Sequence, residues 1–146
     1  MSNRINLKQI QPKAYKAFTG LHTYIQQTAM HPVQKVLIGL RVSQINECSL
    51  CFELHVKQAK EFGLTDLQIY AVSAWRQGDV FTETEKSILA LAEEMTYIYN
   101  GVNEDTYARA AALLGEVGLA EVMVTIVTIN SWNRLAISTK QLPILN

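Results

Sequence analysis

Apolar side chains recur every three to four residues along most of this chain, the spacing of helices with one buried face, and strand-like alternation is scarce. The three prolines, Pro12, Pro32 and Pro143, leave residues 33–142 without a helix breaker. A first helix is predicted over about residues 12–29, with Ala14, Phe18, Leu21 and Ile25 on one face. A second follows Pro32, which suits the first turn, and buries Val33, Val36, Leu37 and Leu40. Asn46 interrupts it and is placed to cap a third, over about residues 47–62, closed by Gly63 in a left-handed conformation with Leu64 as the apolar contact that follows. "TDLQ" and "TETE" read as capping boxes, Thr65 with Gln68 and Thr82 with Glu85. The first opens a short helix ending near Trp75; the second, after the loop "RQGDVF", opens a long one facing inward through Ile88, Ala92, Met95 and Tyr99. Asn100 and Gly101 end that helix, Asn103 caps the next, and Gly115 and Gly118 bracket a last turn.

The segment "VMVTIVTI" within about residues 119–137 is rich in β-branched residues, but no second strand exists to pair with it, so it too reads as helix. Apolar on nearly every face in its first half, it is expected at the bundle centre or in a subunit interface. The expected architecture is all-α, a single domain over residues 1–146 built as a helical bundle of about six to seven helices. No repeat, low-complexity segment or linker divides it.

Composition narrows the function. Half of the residues, 49%, are hydrophobic, enough for a sizeable core, and thirteen basic side chains balance thirteen acidic ones with no basic run of the kind nucleic acid requires. The N-terminal segment lacks a signal-peptide core, and no stretch offers about eighteen uninterrupted apolar residues. The expectation is a soluble cytoplasmic protein with no nucleic-acid or membrane partner.

Two cysteines are too few for a secreted disulfide scaffold, and their spacing in "INECSLCFELH" points to redox or metal chemistry. Cys48, Cys51, Phe52, His55, Ala59 and Phe62 fall at offsets 0, 3, 4, 7, 11 and 14, one stripe of a helix. Residues three apart on a helix have α-carbons about 5 to 6 Å apart, within reach of a disulfide. Cys48 in the first turn would be favoured as a thiolate by the helix dipole and free amide groups. His55, one turn beyond Cys51, is placed to move a proton, with an ordinary pKa of about 6.5. Thiolate, resolving thiol and proton shuttle are the parts of a thiol peroxidase, in which a sulfenic acid condenses to a disulfide. Two buried core thiols are the plain alternative. A zinc site would need a fourth ligand that no second Cys-x-x-Cys supplies, so no metal is expected. His22 reads as a surface residue, His31 as a helix-boundary residue and Glu53 as solvated.

The order of segments is more specific than the cysteine pair. Arg-x-Ser-Gln-Ile-Asn at 41–46, Cys-x-x-Cys-x-x-x-His at 48–55, Ala-Trp-Arg at 74–76, Phe81 with Thr82, and Trp-Asn-Arg at 132–134 together resemble the alkylhydroperoxidase D-like (AhpD-like) branch of the carboxymuconolactone decarboxylase superfamily, over most of the chain. The resemblance implies an all-helical fold, trimers or hexamers, and a dithiol peroxidase reducing alkyl hydroperoxides without haem or flavin, with electrons from an external thiol reductant. It places the redox cysteines on Cys48 and Cys51 and the proton-relay histidine on His55. Active members carry a relay glutamate twelve residues before the first cysteine, where this chain has Val36. Glu47, just before Cys48, is a possible substitute, although an acid at a helix start is also favoured by the dipole. Arg41 and Arg134 are candidates for a substrate anion or a subunit interface, and Trp132 for packing. Loss of the relay glutamate also leaves open a redox-sensing or partner-binding protein with little peroxide turnover.

Overall fold

The computed structural model describes residues 4–140, which contain seven α-helices and no strand. They are α1 (Leu7–Ile10), α2 (Pro12–Gln27), α3 (Pro32–Ile45), α4 (Ser49–Glu61), α5 (Asp66–Ala71), α6 (Glu83–Thr96) and α7 (Glu104–Thr139), with short 3-10 turns at Val72–Ala74 and Ile98–Asn100. Pro12 and Pro32 stand in the first turns of α2 and α3, where a missing N–H costs nothing, and Pro143 lies outside the described residues. Both capping boxes form as the sequence requires: the Thr65 and Thr82 hydroxyls accept from the amides of Gln68 and Glu85, whose side chains reach back to the capping N–H. Gly63 adopts a positive φ of 85°, and the Leu64 amide closes on the Ala59 carbonyl.

The central element is α3. Its run Val36–Leu37–Ile38–Gly39–Leu40 is buried on consecutive positions, so it faces partners all round. Ile38 and Val42 join Ile88, Leu91, Val122 and Ile126 in a core shared with α6 and α7. Leu37 and Leu40 join Ala59, Ile69, Val72 and Leu89 in a second core shared with α4, α5 and α6. Each such buried aliphatic side chain contributes about 1.5–3 kcal/mol, which is what pins α3 between the two layers. The apolar α7 packs on α3 and α6 but leaves Val117, Val127 and Ile137 exposed. By length and composition α7 could cross a bilayer, yet its inner face carries Thr125, Thr128 and Asn133, all buried within the bundle.

Several expectations need correction. The inward face of α2 is Tyr15, Phe18, His22 and Ile25, leaving Ala14 and Leu21 exposed. Tyr15 and Phe18 set that rotation by packing edge-on and tilted against Trp132 of α7, at 5.6 and 5.7 Å between ring centroids. Tyr99 is 95% exposed, because α6 ends at Thr96 and the 3-10 turn swings it outward. The final turn is one residue, Gly115 at φ 69° and ψ 173°, which kinks α7 into two helical segments, and Gly118 is already helical. Helix α4 begins at Ser49, with Cys48 as its N-cap rather than in its first turn.

Candidate functional site: a dithiol at a helix start

The turn from α3 to α4 fixes the first thiol. The Cys48 amide donates to the Ser43 carbonyl at 3.0 Å and the Glu47 amide to the Gln44 carbonyl at 3.1 Å, the paired bonds of a Schellman ending. Glu47 occupies the left-handed position of that motif, at φ 56°, where glycine is usual. Asn46 caps the end of α3 instead of starting α4, and its side-chain amide donates to both Asn130 and Asn133 of α7 at 3.0 Å. Asn133 in turn donates to the Ser43 hydroxyl at 3.2 Å, and Asn130 to Thr96 at 3.0 Å. The 41–46 and 132–134 segments are therefore two sides of one polar network that anchors the cysteine turn. Glu47→Gly is expected to raise stability by about 0.5 kcal/mol, a left-handed penalty of about 1–2 kcal/mol outweighing glycine's entropy of about 0.5–1 kcal/mol. Urea unfolding checks this, and a loss of stability would mean that Glu47 makes a compensating contact.

Cys48 and Cys51 are disulfide-bonded, with α-carbons 5.3 Å apart, and are buried against Ala136. A cleft of about 170 Å³ between Glu47, Cys48, Leu50, Ile137 and Lys140 opens on Cys48; Cys51 is not in its wall. The Cys48 side chain makes no capping hydrogen bond to the first turn; once reduced, its place at the helix start sets it at the positive end of the α4 dipole, which favours thiolate.

His55 follows Cys51 by one turn on the buried face and is 7% exposed. Its ring lies on Gly39 of α3 so closely that a Cβ there would come within 2.5 Å of Nδ1. Nδ1 is 3.0 Å from the Gln58 side-chain oxygen. An amide oxygen only accepts, so the pair requires N–H at Nδ1 and leaves the Nε2 lone pair as the base. The ring therefore hydrogen-bonds toward Gln58, the next turn of α4, while Cys51 lies one turn before it on the same helix. Burial drives the His55 pKa down to about 4, against the opposing effect of the Gln58 hydrogen bond and with a small further push from His22. His55 is thus neutral at physiological pH: a proton acceptor at rest, not the half-protonated shuttle its ordinary pKa suggests.

His55 forms part of the wall of a cavity of about 210 Å³ that also contains His22, Lys35, Val36 and Gln58. His22 is therefore no plain surface residue: it is partly buried on the inner face of α2, and burial lowers its pKa as well. His31 caps α3, its Nδ1 accepting from the Val33 amide, and Glu53 is an exposed partner of Lys57. Val36 presents an apolar wall to the cavity, whereas Glu47 borders the separate Cys48 cleft. Gly39 and Gln58 were not singled out by the sequence pattern. A glycine inside an otherwise bulky apolar helix is a mark of close approach by another group, and Gln58 sits three residues after His55, the spacing of helical neighbours.

The two arginines have different surroundings. Arg41 donates through Nε to Glu93 at 2.7 Å and through Nη1 to Gln44 at 3.2 Å, an internal tie from α3 to α6. Glu93 also accepts from the Trp75 indole at 2.8 Å and from Arg76, which stacks on the Trp75 ring at 4.1 Å. Arg134 is exposed and donates to Asn130 at 2.7 Å, bracing the polar network from outside. Trp132 is a packing residue, buried against Tyr15 and Phe18.

The carboxymuconolactone decarboxylase family model matches residues 12–94, which span the thiol turn, His55 and the Glu93 cluster. The chain belongs to that family. Within it the AhpD-like branch is indicated by an Agrobacterium tumefaciens structure described as an antioxidant defence protein AhpD by proposal, which superposes with a TM-score of 0.90 at 33% identity over 99% of both chains. The Bacillus subtilis protein YdfG is 32% identical over 94% of this chain and 95% of its own length. A debrominase, Bmp8, solved with 2,3,4-tribromopyrrole, shares the AhpD-like fold at 18% identity, with a TM-score of 0.80 over 90% of this chain and 71% of its own. That likeness is one of fold alone.

Proposed function

We propose that this AhpD-like chain is a thiol-dependent peroxidase that reduces alkyl hydroperoxides by cycling Cys48 and Cys51 between dithiol and disulfide. The observation that carries the reading is the bonded Cys48–Cys51 pair at the start of α4 with a neutral buried imidazole one turn further on. Cys48 thiolate, at the N-cap and beside the open cleft, attacks the terminal peroxide oxygen; the O–O bond breaks, giving Cys48 sulfenic acid and an alkoxide that takes a proton from water. His55 removes the Cys51 proton, the Cys51 sulfur displaces hydroxide from Cys48, and the imidazolium returns its proton to form water. An external thiol then reduces the disulfide by exchange. Both sulfurs are buried, and the cleft walled by Cys48 is the proposed approach for the partner thiol. Exposed apolar side chains on α2 and α7, among them Leu21, Tyr24, Val117 and Val127, favour assembly into a homo-oligomer, and the cytoplasm is the compartment that would keep such a dithiol supplied with reductant.

Val36 in the His55 cavity favours a second reading, a redox sensor or partner-binding protein with little turnover, since an apolar side chain cannot relay a proton. Intact mass against time after mixing reduced protein with an organic hydroperoxide separates the two. Loss of two hydrogens at least about a hundredfold faster than a free dithiol is expected of the peroxidase; a rate no faster than the free dithiol selects the sensor. Dimedone-type trapping in Cys51→Ser and Cys48→Ser is expected to label only the former, and a label on the latter alone would make Cys51 the attacking sulfur.

A further inference from the structure

The cavity behind His55 is separate from the cleft that opens on Cys48, and its wall has a chemistry of its own. Lys35 contributes an ammonium group, His22 and His55 contribute imidazoles from α2 and α4, and the lining contains no carboxylate. Val36, Phe62 and Ile129 supply apolar surface. We infer that this cavity binds a small apolar monocarboxylate, its head group among Lys35, His22 and His55 and its tail against Val36, Phe62 and Ile129.

Charge, donors and volume each select that class. Lys35 donates to the carbonyls of Gln26 and Thr28 at 3.3 Å, which leaves the third donor of its ammonium for a ligand. Glu121 of α7 acts on Lys35 from outside the lining and offsets part of its charge, so a doubly charged anion such as phosphate lacks sufficient counter-charge. A monoanion is matched once one imidazole takes up a proton. Burial disfavours the charged forms of Lys35, His22 and His55 alike, and a bound carboxylate would reverse that preference for the group beside it. At about 30 Å³ per water-sized group, the volume of about 210 Å³ accommodates roughly seven such groups, the size of pentanoate. The bound acid would stand beside Val36 and present a carboxylate to His55, making the imidazole a stronger base only when ligand is present. The inference rests on the cavity and holds whether or not the thiols turn over peroxide.

The test is titration of the intact protein with pentanoate and with pentan-1-ol, by calorimetry and by the imidazole NMR signals of His22 and His55, at about pH 6 and about pH 7.5. Pentanoate is expected to saturate, to shift an imidazole toward its protonated form, and to bind about tenfold more weakly at the higher pH because binding takes up a proton. Pentan-1-ol should bind at least about tenfold more weakly than pentanoate at the lower pH. Lys35→Met, which removes the cation, and Val36→Glu, which adds a carboxylate to the wall, should each weaken pentanoate about tenfold or more. Equal binding of acid and alcohol, or pentanoate binding that leaves both imidazoles unmoved, would overturn the inference. So would undiminished affinity in Lys35→Met, which keeps the test decisive if Val36→Glu does not fold. None of these readouts uses peroxide, so a failed turnover assay and a failed binding assay remain separate results.

Discussion

Glu93→Ala is expected to lower the unfolding free energy by about 3–5 kcal/mol, the cost of leaving buried partners without their counter-charge. Glu93 is 8% exposed, and its carboxylate ties α6 to Arg41 of α3 and to the Trp75 indole and Arg76 after α5. Arg76, more than half exposed, returns to water at little cost, but Arg41 and the indole N–H do not. Burial alone would raise the Glu93 pKa; the hydrogen bonds from Trp75, Arg76 and Arg41, with the charge of Arg41, overcome it and hold the carboxyl ionised below its ordinary range. Glu93→Gln keeps an acceptor for Trp75 and should lose only part of the same amount. Urea unfolding of both variants is the check: a loss below about 1 kcal/mol for Glu93→Ala would reduce the cluster to a solvated ion pair. Because Arg41 lies two residues before Ser43, on the last turns of α3, the same substitution should also loosen the polar network under Cys48.

Glu93 illustrates what the sequence does and does not disclose. In sequence it is one more acid on α6, in the run "LAEEMT", and nothing local distinguishes it from Glu94. Features set by neighbours in sequence were legible: the Thr65 and Thr82 capping boxes, Gly63, Asn103 and the prolines at helix starts all formed as local chemistry requires. The AhpD-like fold was legible through its ordered segments, and the structure explains two of them, since residues 41–46 and 132–134 meet at Asn46, Asn130 and Asn133. What failed depended on contacts between distant elements. The rotation of α2 follows from Trp132, more than a hundred residues away, and the neutrality of His55 from the approach of Gly39. Periodicity puts Cys48 on the stripe of α4 but does not say which residue is the cap, and the structure makes it the N-cap.

Acidification should unfold the protein mainly through His55. Its folded-state pKa is about 4, against about 6.5 when the chain is unfolded, so the folded state binds fewer protons between those values. Stability is therefore full above about pH 6.5, falls as pH drops toward 4, and levels off below it, with a total loss of about 3 kcal/mol from this group. His22, also pushed down by burial, adds loss of the same sign in the same direction of pH. Glu93 acts lower: its depressed carboxyl contributes stability that is present above the ordinary carboxylate range and lost only as pH falls through its folded value. Urea unfolding across pH 8 to 4, for the wild type and His55→Gln, isolates the histidine: the wild type should lose about 3 kcal/mol more than the variant between about pH 6.5 and 4. Parallel curves would mean that His55 is hydrated in solution and titrates near its ordinary value. That outcome would make His55 a better acceptor of the Cys51 proton at rest, because the burial that keeps the imidazole neutral also makes it costly to protonate.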